Sequence, residues 1–192
     1  EKALLRVAIT ASPTHMYETG TRQHIENAFD QGASVDELKE VLELVSILGL
    51  HSTTEGMPYI VDKFGVPNEE DSSAQEEKDA VRELFRENRG YWNDFWDGVL
   101  QLDHEFLEKY TYLSGYPWNH GVLDPKVKEF IYIAIDVSTT HLYSLGMEQH
   151  LENAIEYGAT RDEIVELVEF VSEQGYDAMD EAMPILYDVA ED

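Results

Sequence analysis

His15 and His24 stand nine residues apart, and so do His141 and His150. Imidazole is the side chain whose ordinary pKa lies near neutrality, so either pair could pass protons to and from a substrate as general acid and base. The surroundings of the two pairs match: Thr14 with Thr140, Tyr17 with Tyr143 and Gln23 with Gln149. These threonines and tyrosines are candidate ligand contacts, and Arg6 and Arg22 could hold an anionic substrate beside the first pair. The second pair has Tyr132 and Glu148 in place of those arginines. Glu55 and Glu181 are carboxylates that could tune the imidazoles. Each feature also has a plainer reading. A histidine at the border of an amphipathic helix is commonly a hydrogen-bonded packing residue, a glutamate is commonly a solvated charge, and Tyr17, Tyr143, Asn27 and Asn153 read as structural before functional.

A metal is the alternative for the same residues. His51 and Glu55 stand one helical turn apart, and His15 and His24 could converge on them. The second set offers Asp177 with Glu181 instead, which is harder and richer in oxygen. The sequence contains no cysteine, so disulfides, thiolate nucleophiles and cysteine-ligated metal centres are excluded.

Both histidine pairs belong to a repeat. At an offset of 126 residues, positions 4–62 align without gaps to 130–188, and 25 of these 59 are identical. The matches include Ser12/Ser138, Gly20/Gly146, Glu26/Glu152, Gly32/Gly158 and Pro58/Pro184. Within each copy the apolar spacing predicts helices. Leu38, Val41, Leu42, Val45 and Leu48 form one face, and Ile164, Leu167, Val168 and Val171 form its counterpart. Each of these helices opens on a capping-box pattern, Ser34 to Glu37 and Thr160 to Glu163, and follows a glycine suited to ending the helix before it. The preceding stretch predicts about three helical turns, with Ile25, Ala28 and Phe29, or Leu151, Ala154 and Ile155, facing inward. The opening runs LLRVAI and FIYIAI fit a buried strand as well as a helix on spacing alone.

The boundaries read as a first repeat at 1–65, a polar, turn-rich linker at 66–76, and connecting aromatic helices with the second repeat at 77–192. In the connecting part Val81, Leu84 and Phe85, then Phe95, Val99, Leu102 and Phe106, recur at helical spacing, and Trp92, Trp96 and Trp118 read as packing residues. Forty acids against thirteen bases give a formal charge of -27, which makes nucleic acid and anionic lipid surfaces implausible partners. It also suits a salt-rich cytoplasm. No apolar run approaches the ~20 residues of a membrane span, and no signal segment opens the chain, so a cytoplasmic location is expected.

The segment HIENAFDQGASVDELKEVLELVSILG and its copy resemble the carboxymuconolactone decarboxylase family, in which a glycine follows the family histidine by eight residues and a capped helix comes next. His24 precedes Gly32, and His150 precedes Gly158, by that interval. The resemblance implies an all-α fold like that of alkylhydroperoxidase D, with two tandem helical repeats packed as one pseudo-symmetric unit and helices for the two ambiguous runs. It also implies a homo-oligomer, a trimer being favoured. The peroxidase branch carries a Cys-x-x-Cys pair where this chain has Tyr17 and Gly20, and Tyr143 and Gly146, which excludes a thiol relay. That branch also carries a glutamate on the preceding helix. The comparable residue is Glu129, two positions farther from the histidine than the pattern, and the first copy has Ala3. The implied activity is decarboxylation of a small carboxylated, lactone-like metabolite with no cofactor. His24, His150, His15, His141, Glu55, Glu181 and Glu129 are then the candidate catalytic groups. A non-catalytic small-molecule-binding or assembly protein on the same scaffold is the remaining alternative.

Overall fold

In a computed structural model, which describes residues 1–66 and 72–191, the chain is helical, with no strand among the described residues. The helices are α1 (Lys2–Ala11), α2 (Glu18–Asp30), α3 (Val35–Ser46), α4 (His51–Phe64), α5 (Ser72–Arg89) and α6 (Phe95–Leu102). They continue as α7 (His104–His120), α8 (Pro125–Asp136), α9 (Ser144–Glu156), α10 (Arg161–Ser172) and α11 (Gly175–Glu191). A 3-10 turn, Ile47–Leu50, joins α3 to α4. The chain divides into two compact units, Glu1–Ser46 with Val122–Asp192, and Ile47–Gly121. Of the linker expected at 66–76, residues 67–71 lie outside the described residues, and 72–76 form the start of α5.

In the first unit α1 packs on α2, α3 and α8, and α8 packs in addition on α9, α3 and α10. This settles the two ambiguous runs. FIYIAI is a continuous apolar stretch, and LLRVAI one broken only by the partly exposed Arg6, because their helices lie at the centre and are covered on nearly every side. Every residue from Val127 to Asp136 is buried. Each buried Ile or Phe there contributes about 1.5–3 kcal/mol relative to exposure, which helps offset the cost of the polar groups that α8 also buries, Lys128, Glu129 and Asp136. Asp124 caps α8 by accepting from the Lys126 N–H, and Pro125 occupies its first turn, where a missing N–H costs nothing.

The local structure recurs at the 126-residue offset. Helices α2 and α9 coincide in length and position, as do α3 and α10. Glu37 and Ser34 close one capping box and Glu163 and Thr160 the other. Gly32 and Gly158 end the preceding helices with φ of 92° and 86°. The turns before α2 and α9 both hold a non-glycine residue in the left-handed region, Met16 at φ 50° and Leu142 at φ 52°. Contacts across the repeat are reciprocal. Lys2 Nζ meets Glu166 Oε1 at 2.6 Å, and its counterpart Lys128 Nζ meets Glu40 Oε1 at 2.8 Å. Thr140 Oγ1 donates to its own counterpart, Thr14 Oγ1, at 3.2 Å.

Some side chains expected to face inward do not. Phe29, Leu42, Ile155 and Val168 are exposed, as is Phe106. The apolar stripes are wider than the core they cover, and the surplus on α2 and α3 lines a shallow apolar cleft with Val35 and Leu38.

The second unit contains the 3-10 turn and α4 to α7. Its core is Leu50, Val81, Phe85, Trp96, Val99, Leu100 and Leu107. Phe85 meets Tyr91, Trp92 and Trp96 with ring centroids 5.8, 5.4 and 4.8 Å away, so Trp92 and Trp96 are packing residues. Trp118 lies under the Arg89 guanidinium at 5.4 Å.

Candidate active site

The central position of α8 sets the site in the second copy. Glu129 is 1% exposed, and its Oε2 accepts from His150 Nδ1 at 2.6 Å. Its other oxygen accepts from Asn153 Nδ2 at 3.1 Å, and Asn153 Oδ1 accepts in turn from Gln149 Nε2 at 2.8 Å. His150 and Asn153 share a face of α9 because they are three residues apart. Tyr132, one turn beyond Glu129 on α8, stacks on the His150 ring at 4.5 Å with 27° between the planes. The carboxylate and the stacked ring fix the imidazole's tautomer and plane. With Nδ1–H given to Glu129, Nε2 is the nitrogen left for chemistry.

Two further polar residues of α8 are buried. Lys128 and Glu40 form a buried ion pair, and Glu40 Oε2 also accepts from the backbone N–H groups of Val122 and Leu123 at 2.6 and 2.8 Å. These bonds supply the compensation that a buried pair needs. Asp136, at the end of α8, is pushed up to about 8, first by burial and then by the charge of Glu129. Its carboxyl lies so close to Gly146 that a Cβ there would come within 2.2 Å of Oδ2. His141 Nε2 is 4.0 Å from Asp136 Oδ1, and the His141 ring stacks on Tyr143 at 5.6 Å.

The first copy is wired differently. Ala3, Arg6 and Thr10 stand where the second copy has Glu129, Tyr132 and Asp136. His24 is lowered, first by burial and then by Arg6, with Asp177 opposing. Arg6 lies over the Phe170 ring at 4.3 Å and hydrogen-bonds Glu173, so it is engaged within the protein. Arg22 is exposed, 3.9 Å from Glu18. It is His15 that has the carboxylate here: its Nε2 lies 2.9 Å from Asp177 Oδ2. Tyr17 packs edge-on to His15 at 5.7 Å, and both Tyr17 and Tyr143 pack against the glycine three residues on, Gly20 and Gly146. Thr14 and Thr140 hydrogen-bond each other and Ser12 and Ser138.

The sequence-derived candidates therefore separate. Glu129 and His150 come together despite the longer spacing. His15 joins Asp177, with Glu181 exposed in the same cleft. His51 and Glu55 lie on α4, in the second compact unit. Tyr132, Asn153, Asp136 and Asp177 were not among the catalytic candidates. Three of these four stand opposite a different residue in the other copy, and a search for shared residues passes over such positions.

The all-α fold holds a buried glutamate–histidine pair between central and flanking helices, and the sequence, with no cysteine, leaves no thiol relay. The model of the carboxymuconolactone decarboxylase family matches residues 104–188. A crystal structure of a Burkholderia xenovorans protein, provisionally named a gamma-carboxymuconolactone decarboxylase subunit, superposes with a TM-score of 0.91 at 39% identity, over 99% of this chain and 77% of that one. This chain belongs to the carboxymuconolactone decarboxylase family. Comparison with curated protein sequences gave no match. Among the described residues, no helix is long and apolar enough to cross a membrane.

Proposed function

We propose that the chain is a carboxy-lyase for a small carboxylated, lactone-like metabolite, with the second copy as the working centre and His150 as its proton donor. The observation that carries this reading is the 2.6 Å bond from His150 Nδ1 to buried Glu129. The substrate's C–C bond to its carboxylate breaks, carbon dioxide leaves, and the electron pair passes into the adjoining unsaturated system. His150 Nε2–H then protonates the terminal carbon of the resulting dienolate, and solvent returns the proton to the imidazole. Glu129 accepts from Nδ1–H throughout and holds the ring in register, with Asn153 and Tyr132 fixing Glu129 and the ring in turn. No residue in this sequence of steps requires a metal or an organic cofactor.

The first copy has Ala3 where the second has Glu129, so it supports the fold rather than this chemistry. The reciprocal Lys2–Glu166 and Lys128–Glu40 pairs, with Thr14 against Thr140, favour two fused protomers packed about a pseudo-two-fold axis. Assembly into a homo-oligomer, a trimer of such chains, is part of the same reading. The test is carbon dioxide release from a panel of unsaturated carboxylated lactones by chelator-treated protein. Turnover that survives chelation supports the reading. Loss on chelation favours the His/Glu metal alternative, and silence across the panel favours the binding-protein alternative.

A further inference from the structure

Helix α11 repeats α4 at the 126-residue offset: Glu55, Met57 and Pro58 recur as Glu181, Met183 and Pro184. In α4 the Met–Pro step is a seat for another helix. α6 packs on α4 with Gly98 at the crossing, where an added Cβ would stand 3.7 Å from Met57 Cβ and 3.8 Å from the Pro58 nitrogen. The missing side chain lets the two backbones approach. Trp96 and Val99, on either side of the glycine, join Leu50 in the core of that unit, and Met57 packs against it. The seat is one face running from the 3-10 turn into α4, through Leu50, Thr54, Met57 and Val61. Leu50 is 6% and Thr54 2% exposed.

The counterparts of this face on α11 are open. Tyr176 is 70% and Tyr187 62% exposed, and Asp180, in the place of buried Thr54, is exposed as well. From Ala178 to Glu191 every residue is exposed except half-buried Met183. The helix is held at its first turn, where Asp177 meets His15. An aromatic and aliphatic face of this length left in water marks an interaction surface. The chain's own α6 is already spent on its unit, where Trp96, Val99 and Leu100 are buried.

Charge selects the occupant. α11 carries Asp177, Asp180, Glu181, Asp188 and Glu191 with no lysine or arginine, and the chain as a whole has a net charge of -27. A second copy would be repelled, and a cationic helix would be drawn in. We propose that α11 is the docking surface for a basic amphipathic helix of another protein. That helix presents a glycine or alanine to the Met183–Pro184 step, aromatic side chains to Tyr176 and Tyr187, and a lysine or arginine to Asp180, the carboxylate that interrupts the apolar face. The surface is independent of the reaction assigned to His150.

The probe is a fluorescein-labelled peptide with the sequence of residues 91–103 of this chain, which contains α6, in two forms: unchanged, and with Asp94→Lys and Asp97→Lys. Fluorescence anisotropy is read with the full chain. The lysine form gives a saturable rise and binds at least about tenfold tighter than the unchanged form, and the advantage shrinks in molar salt. Gly98→Leu in the lysine peptide blocks the crossing and weakens binding about tenfold, as does Tyr187→Asp in the chain, which removes an aromatic anchor. Asp180→Asn reduces the preference for the lysine form. Tyr112→Asp, at a tyrosine 58% exposed on α7, leaves binding unchanged. Absence of a saturable rise, indifference to Gly98→Leu or to Tyr187→Asp, or an equal loss with Tyr112→Asp overturns the proposal. So does sedimentation of a self-associated chain that Tyr187→Asp dissociates, because α11 is then covered by a second copy.

Discussion

Glu129 Oε2 lies 2.6 Å from His150 Nδ1 in the second copy, while the position equivalent to Glu129 in the first copy is Ala3. Identity at the histidines thus conceals a difference in what each histidine can do. In the proposed mechanism Glu129 acts through His150, so its substitution by glutamine should preserve the shape and lose the carboxylate that accepts from Nδ1. The expected effect is a fall in kcat of about 10–100-fold with KM little changed. Steady-state kinetics check this, and an unchanged kcat would contradict the role given to Glu129.

Asp136 makes a prediction about stability. Its carboxyl is raised from 3.8 to about 8, so the folded chain holds a proton there that the unfolded chain releases. Its contribution is complete below about pH 4 and is lost progressively as pH rises toward 8. Asp136→Asn cannot ionise. Relative to wild type, the variant should gain thermal stability steadily between these pH values, as read by melting temperature. Parallel pH profiles for the two proteins would contradict the assignment.

The reciprocal lysine–glutamate pairs provide an internal comparison, because counterpart residues sit in opposite environments. Lys128 and Glu40 are buried, whereas the Lys2 and Glu166 side chains are 60% and 61% exposed. Lys128→Ala strands a buried carboxylate and should cost about 3–5 kcal/mol. Lys2→Ala should cost about 0–1 kcal/mol, and that difference should vanish in high salt. Denaturant unfolding of the two variants measures both.

Gly146 and Gly56 both sit inside helices, but only the first is crowded. A Cβ at Gly146 would meet the Asp136 carboxyl and the Tyr143 ring, while one at Gly56 meets nothing within 4 Å. Gly146→Ala should therefore destabilise the chain. Gly56→Ala should stabilise it by about 0.5–1 kcal/mol through helix propensity.

Much of the fold was legible in the sequence. The capping boxes at Ser34 and Thr160 and the glycines at 32 and 158 marked helix ends within a residue or so, because those signals are local. The runs at 4–9 and 130–135 were not decidable from spacing, since a helix buried all round has no amphipathic period to read. Phe29, Leu42, Ile155 and Val168 fall on the apolar faces yet are exposed, because apolar spacing records a face and not how far the core extends beneath it. At the candidate site, repeat and resemblance point to His150 and Glu129. Identity between the copies does not point to Tyr132 and Asp136, because they stand opposite Arg6 and Thr10. The pairing of His15 with Asp177 joins residues 162 positions apart, which only the packing of α11 reveals.

The most direct test of the central claim is carbon dioxide release by chelator-treated protein with a turned-over carboxylated lactone, comparing His150→Ala with His24→Ala. A loss of about 100-fold or more is expected for His150→Ala and near wild-type turnover for His24→Ala. Equal losses, or turnover that survives His150→Ala, would contradict it.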